Sequence, residues 1–258
     1  MRATRNPAHE ISAGNPWYVD DQSAVQLGSA AFRAVVENRW RLFERAIDEW
    51  LARTGQSAPR LVLDAGCGDG INLVFLRRLI ASRFWPTMLV GADYSPLRVA
   101  RAGQSAGAQL LRASVTALPL ASERFDVVIC NQVLEHIVDD RTAFAELRRI
   151  LRPGGLLIVG VPNEGSPLGL LRNHLLQRSI LSATDHVNMY TRRALAARAR
   201  AAGFEPIRIE PEGFFTPHTT LHALLNRWSP VRSLLNAAGR AMPGCAAGLQ
   251  MVALRPNS

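Results

Sequence analysis

A short apolar run, followed at once by three glycines at alternate positions, constrains this chain more than any other feature. Leu61 to Gly70 reads LVLDAGCGDG. The run LVLDA has the length and character of a buried strand. Gly66, Gly68 and Gly70 permit the tight backbone turn that leads from such a strand into a helix. A strand, a glycine-rich turn and a helix together form a nucleotide-binding device. The main chain lets a ligand approach closely, and the free N–H groups at the helix start favour its polar or anionic groups. The next apolar strand ends in Asp93, 23 residues after Gly70. A carboxylate there can accept hydrogen bonds from both hydroxyls of a ribose, or it can cap the helix that follows. The spacing is GxGxG rather than the dinucleotide pattern GxGxxG, and Ile71 holds the place of the third dinucleotide glycine. Asp64 stands two positions before the first glycine. This arrangement carries no pyrophosphate requirement.

Strand and helix signals alternate around this segment. Apolar residues at spacings of three and four, from Phe32 to Leu51, predict a helix over Ser29 to Arg53. Strands are expected at Leu61–Ala65, Met88–Ala92, Gln109–Ala113, Phe125–Cys130, Leu156–Val161, Glu205–Glu210 and Leu249–Leu254. Helices are expected at Ile71–Ser82, Pro96–Gln104 (with Ser95 as cap and Pro96 at the first position), Asp140–Leu151 and Arg192–Ala202. Short apolar strands alternating with helices imply parallel βαβ units in an open, doubly wound α/β sheet. Residues 1–57 read as an N-terminal segment and helix, and 58–258 as the main domain. Insertions at about 163–185 and 211–246 hold expected helices around Leu168–Ile180 and Thr219–Trp228. Insertions of that length usually carry function.

The chain has 258 residues, 48% hydrophobic and 20% charged, enough for a real core in one α/β domain with appendages. Thirty basic against 21 acidic residues give a formal charge of +9, and every basic residue is arginine. The excess suits an anionic partner. It suits equally an arginine-rich composition spread over solvated faces, because the arginines are scattered with no run of five. Cys67, Cys130 and Cys245 form no CxxC and no His/Cys spacing for zinc. The expectation is therefore no metal site, no disulfide and a reducing compartment. Met1 to Glu10 lacks an apolar signal region and no stretch is long enough to span a bilayer. These features point to a cytoplasmic protein, with peripheral membrane contact left open.

The run DAGCGDG resembles the first motif of the class I S-adenosylmethionine-dependent methyltransferases. GADYSP resembles their second-strand motif, LRASVTALPLASERFDVVICNQVLEHI their third and fourth strand region, and LRRILRPGGLLIVGVPN their fifth. The resemblance covers roughly residues 58 to 210. It implies a Rossmann-like seven-stranded sheet, mostly parallel with an antiparallel last strand, and helices on both faces. It also implies S-adenosylmethionine as cofactor. Asp64 and the turn Gly66, Cys67 and Gly68 would lie along the amino-acid portion of the cofactor, and Asp93 would hold its ribose. Tyr94 would pack near the adenine, and Asn131 would offer backbone contacts. Where the family often has an acidic residue facing the adenine amino group, this chain has Ser114 and Val115. Ser114 can still accept a hydrogen bond through its hydroxyl.

Methyl transfer from a sulfonium is an in-line displacement, so alignment in a water-poor pocket supplies much of the acceleration. A hydroxyl acceptor also calls for a base, and His is the natural one near neutral pH. His136 in LEHI follows the fourth strand. His186 in TDHVNMYT precedes a helix that ends in AGF, as in small-molecule and lipid-quinone members of the family. Both are candidate bases, and both are candidates for merely ordering a loop. His9, His174, His218 and His222 read as surface residues. The apolar insertions suit a small or lipophilic acceptor methylated on O or C. Two other readings stay open. One is an RNA or DNA methyltransferase, suggested by the charge but lacking an appended nucleic-acid module and an NPPY-like signature. The other is a non-catalytic S-adenosylmethionine-binding partner protein.

Overall fold

The computed structural model describes residues 20–21, 28, 30–105, 107–179, 184–216, 218, 221, 224–225 and 227–257. A 25-residue helix α1 (Ala30–Thr54) leads into an alternation of strands and helices. These are β1 (Leu61–Ala65), α2 (Ile71–Ser82), β2 (Met88–Asp93), α3 (Pro96–Ser105), β3 (Gln109–Arg112) and β4 (Phe125–Asn131). There follow α4 (Asp140–Ile150), β5 (Leu151–Pro162), α5 (Pro167–Leu171), α6 (Arg192–Ala201), β6 (Glu205–Glu212), α7 (Ser229–Ala241) and β7 (Gly248–Leu254). The seven strands lie in the order β3-β2-β1-β4-β5-β7-β6. β1 to β5 pair in parallel, and β7 runs antiparallel to both its neighbours. The expected sheet, including its antiparallel last strand, is the one observed.

Alternation along the strands divides the core into two layers. On one face Val62, Val127, Ile129, Leu156 and Ile158 pack against Phe43, Ile47 and Trp50 of α1 and Leu73 and Leu76 of α2. On the other, Leu63, Val128, Cys130, Leu157 and Val159 meet Phe144 and Leu147 of α4 and Leu195 and Ala199 of α6. β4 sits mid-sheet and is buried at every position, which explains its unbroken apolar character. Helix α1 is thus part of the same core as β1, and Trp50 fastens it by donating from Nε1 to the Gly154 carbonyl at 2.8 Å.

Two local expectations need correction, and a third falls largely outside the described residues. Strand β5 begins at Leu151, not Leu156. Leu151 pairs with Phe125, and a bulge between Phe125 and Val127 absorbs Pro153 and the left-handed Gly154. Those residues read as a helix stop, but the strand starts before them. The expected helix over Leu168–Ile180 is regular only as α5, started by Ser166, whose hydroxyl accepts from Gly169 N at 3.1 Å. It continues as a π-turn over Arg172–Leu176, and Ile180 lies outside the described residues. In the second insertion the long helix is α7, beginning at Ser229, while much of Thr219–Trp228 lies outside the described residues.

Because the chain crosses from β3 back past β1 to β4, the carboxyl ends of β1 and β4 open a crevice at the topological switch point. That is where an open α/β sheet receives ligands.

Candidate functional site

The glycine turn fills one side of this crevice. Gly66 N and Cys67 N both donate to the Ala92 carbonyl, at 2.7 and 2.9 Å, so the turn is folded over the end of β2. Asp93 fixes the next step. One carboxylate oxygen accepts Gly68 N at 2.9 Å and the other accepts Ser95 N at 2.8 Å. Gly66 sits at φ +80°, and a Cβ there would run into the methyl groups of Val133. Both facts demand glycine. The turn borders a cleft of about 230 Å³ lined by Val36, Arg39, Gly66, Cys67, Asn131 and Gln132, among others.

Asp64, just beneath the turn, is fully buried, and neither carboxylate oxygen accepts a hydrogen bond. Burial, with the nearby Asp93, pushes its pKa up to about 7, against a weak hydrogen-bonding pull from the Asn72 side chain. Burial also raises Asp93, opposed by the two N–H groups it holds. The Cys67 thiol is driven up by burial and by the nearby Asp64 and Asp93, which keeps it neutral.

The remaining residues expected around a cofactor lie along the same edge. Tyr94 is half-buried, with the Arg112 guanidinium 5.6 Å from its ring centre. The Ser114 hydroxyl is engaged locally, 2.8 Å from Thr116 Oγ1. Val115 turns its side chain into the core. Asn131 Oδ1 accepts from Gln250 at 3.2 Å, Gln250 donates on to Glu212 at 2.9 Å, and Glu212 pairs with Arg39 at 3.1 Å. Gly160 of β5 lies between Asn131 and Gln250, and a Cβ there would collide with both. This chain of contacts ties β4, β7, β6 and α1 together beside the cleft. Sequence reasoning missed it because it depends on strand pairing.

The two candidate histidines meet. His136 ends a 3₁₀ turn, Leu134–His136, just past β4, and His186 lies 50 residues on, yet their ring centres are 4.8 Å apart. The main chain of Glu135 accepts Val187 N and Asn188 N at 2.8 and 3.0 Å and so staples the two segments together. His186 Nδ1 is 2.7 Å from Glu164, and Glu164 also pairs with Arg172 at 2.9 Å. Burial lowers the His186 pKa, but Glu164 and Glu135 outweigh it and the net shift is upward. Burial and the neighbouring His186 lower His136 to about 4, so it stays neutral. Glu164 is held below its usual range by His186 and Arg172 despite its burial.

Glu135, Glu164 and Arg172 were not singled out from sequence. Glu135 and Glu164 follow the carboxyl ends of β4 and β5, and that position was the available signal. Glu135 is fully buried with neither carboxylate oxygen hydrogen-bonded. Burial pushes it up to about 7, against the pull of His186. Gln132 and Asp185 take left-handed backbones at φ +57° and +53° at the two entrances to this cluster. Such strain in non-glycine residues concentrates at functional sites. His174 and His218 are exposed, as expected. His9 and His222 lie outside the described residues.

The family model described as a methyltransferase domain matches residues 37–209. The trans-aconitate 2-methyltransferase of Methylobacterium radiotolerans is 35% identical over 144 residues, covering 54% of this chain and 50% of that protein. The ubiquinone biosynthesis O-methyltransferase of Pseudomonas paraeruginosa is 29% identical over 164 residues, 60% of this chain and 69% of that one. The chain spans about half the length of most curated relatives it matches. Among solved structures, the fold resembles the geranyl diphosphate C-methyltransferase of Streptomyces coelicolor A3(2), solved with Mg²⁺, geranyl diphosphate and S-adenosyl-L-homocysteine. That similarity has a TM-score of 0.56 and 18% identity, and it covers 83% of this chain and 78% of that one. With the glycine turn, the switch-point crevice and the strand order already in place, the match settles the family: the chain belongs to the class I S-adenosylmethionine-dependent methyltransferases.

Proposed function

We propose that this protein transfers the methyl group of S-adenosylmethionine to a hydroxyl of a small, partly lipophilic acceptor, with the His186–Glu164 pair as proton acceptor. The observation that carries the reading is their 2.7 Å contact at the edge of the sheet where the glycine turn opens. Asp93 holds the cofactor ribose, and the turn Gly66–Gly68, with Asp64 beneath it, holds the amino-acid portion. Tyr94, Ser114 and Val115 flank the adenine, and Asn131 borders the cofactor on the side of the acceptor. The acceptor oxygen attacks the methyl carbon as the sulfonium carbon–sulfur bond breaks. The sulfur leaves as a neutral thioether, and the acceptor proton passes to His186 Nε2. Glu164, bound to Nδ1, fixes the tautomer and stabilises the imidazolium that forms. His136, neutral beside it, orders the loop rather than taking the proton.

A lipophilic acceptor is favoured by Leu170, Leu171, Leu175 and Leu176, all exposed on the insertion after β5. The same leucines support peripheral membrane contact, and among the described residues no helix is long and apolar enough to cross a membrane. Relatives named as a ubiquinone biosynthesis O-methyltransferase and a trans-aconitate 2-methyltransferase support a small-molecule acceptor over nucleic acid. Turnover of hydroxylated aromatic and acidic acceptors, read as S-adenosylhomocysteine release, tests the proposal. His186→Ala should abolish turnover while cofactor affinity stays unchanged. Wild-type turnover in that variant sinks the base assignment.

A further inference from the structure

Glu135, His136 and His186 each offer a ligand atom, and these atoms all lie within 4.8 Å of one another. Both histidine rings are oriented by neighbouring groups. Glu164 takes Nδ1 of His186, and the main chain of Asp185 holds the His136 ring. Fixing one imidazole nitrogen on a carboxylate or a carbonyl is the outer-shell arrangement that orients metal-ligating histidines. The third member is more telling. Glu135 is completely buried with both carboxylate oxygens unbonded, although buried carboxylates are almost always satisfied. It faces the two rings with no close hydrogen bond to either carboxylate oxygen.

We propose that Glu135, His136 and His186 form a binding site for one first-row divalent cation of the manganese-to-zinc series. Two imidazoles and one carboxylate suit these borderline ions better than magnesium or calcium, which take mostly oxygen ligands. The three ligands leave coordination positions open. Small side-chain rotations would bring the ligand atoms to the 2.0–2.2 Å that such ions require, on the order given for zinc. The site lies past the carboxyl end of β4, and an acceptor hydroxyl that reached an open position would lose its proton more readily. With the cation bound, His186 Nε2 is a ligand and cannot also take the acceptor proton, so the metal-held hydroxyl gives its proton to solvent base. The inference keeps the methyl transfer proposed above and replaces its proton route. Sequence spacing hid this site, because Glu135–His136 and His186 stand 50 residues apart and no cysteine takes part.

The test is a titration of the chelator-treated, tag-free full chain with Co²⁺ and Zn²⁺, in a Cys245→Ser background that removes the least buried thiol. One equivalent of Co²⁺ should bind with a visible d–d absorption band, and Zn²⁺ should displace it. Glu135→Gln, nearly the same shape, and His186→Ala should each weaken binding at least tenfold. Glu164→Gln spares all three ligands but frees the His186 ring, and should weaken binding about 10–100-fold. Far-UV circular dichroism and S-adenosylmethionine titration establish that each variant is folded. No stoichiometric binding in the wild type, or equal isotherms for wild type and Glu135→Gln, overturns the site. If metal binds as expected, chelation that abolishes turnover confirms a metal-assisted reaction. Chelation that leaves turnover intact confines the cation to a structural role and returns the proton to the His186–Glu164 pair. Cation affinity and methyl transfer are thus read separately.

Discussion

Replacing Asp64 with asparagine should stabilise the unliganded protein at pH 8 and weaken it for its cofactor. Asp64 is fully buried, neither oxygen is hydrogen-bonded, and burial lifts its pKa from 3.8 to about 7. The sign follows from proton uptake. A carboxyl with a raised folded-state pKa holds its proton more tightly when folded, so stability is full below pH 4 and is lost as pH rises through 7. At about 1.4 kcal/mol per decade, the folded state forfeits roughly 2 kcal/mol at pH 5 and about 4 kcal/mol at pH 8. Asparagine keeps the shape and carries no titration. Urea unfolding of wild type and Asp64→Asn at both pH values gives the difference directly, provided the slope against denaturant is unchanged. The variant's advantage should grow by about 2–3 kcal/mol between pH 5 and pH 8. The variant's deficit in S-adenosylmethionine affinity should widen over the same range, as Asp64 ionises in the wild type. A variant equal to or weaker than wild type at pH 8, or an advantage that does not change with pH, refutes the account of Asp64 as an unpaired buried charge.

Gly66→Ala should destabilise by about 2–5 kcal/mol, from the left-handed backbone and the collision with Val133. Val133→Ala in the same chain should restore the steric part only, so the double-mutant cycle in urea shows a favourable coupling. Asp93→Ala removes charged hydrogen bonds worth about 1.5–3 kcal/mol each, and calorimetric S-adenosylmethionine affinity should drop at least tenfold. Arg172→Met should free Glu164 of one partner and lower kcat while leaving cofactor affinity intact, which steady-state and binding measurements separate.

The fold was legible because its signals are local. LVLDAGCGDG carries strand, turn and helix start within ten residues, and the buried run of β4 announces a central strand. Where the reading slipped, two local rules competed. Pro153 and Gly154 stop a helix on their own terms, yet the ladder between Leu151 and Phe125 holds them inside β5 as a bulge. The apolar run after Pro167 has helical spacing, but Asn173 is buried and Arg172 turns towards Glu164, and the chain widens into a π-turn there. The candidate site was legible only in part. His136 and His186 stand out by type. Their meeting depends on the staple from the Glu135 carbonyl to Val187 and Asn188, which has no counterpart in spacing. Likewise Gln250 reaches Asn131 only because β7 pairs with β5 in one register and Gly160 leaves the room.

The buried carboxylates themselves separate support from function. Asp126 sits at the start of β4, away from the crevice. One of its oxygens accepts Arg60 N and Leu61 N at 2.6 and 2.9 Å, and the other pairs with Arg152. Asp140, at the start of α4, accepts the Tyr190 hydroxyl at 2.7 Å and pairs with Arg198 at 3.2 Å. Both are satisfied by the chain, as buried charges must be when their only duty is the fold. Asp64 and Glu135 are equally buried, but no close hydrogen bond or ion pair ties their carboxylate oxygens to the chain, and both flank the switch-point crevice at the carboxyl ends of adjacent strands β1 and β4. A fold that held these two groups only for stability would gain by replacing them with neutral residues. Their presence makes sense when the unliganded state bears the cost and the bound state recovers it. In the function proposed above, Asp64 would meet the cofactor and Glu135 whatever completes the acceptor side. It follows that Asp64→Asn and Glu135→Gln should each raise the midpoint of unfolding in the absence of ligands. Saturating S-adenosylmethionine should reverse the order for Asp64→Asn and leave Glu135→Gln still ahead. A Glu135→Gln protein less stable than wild type without ligands would show that Glu135 serves the fold after all.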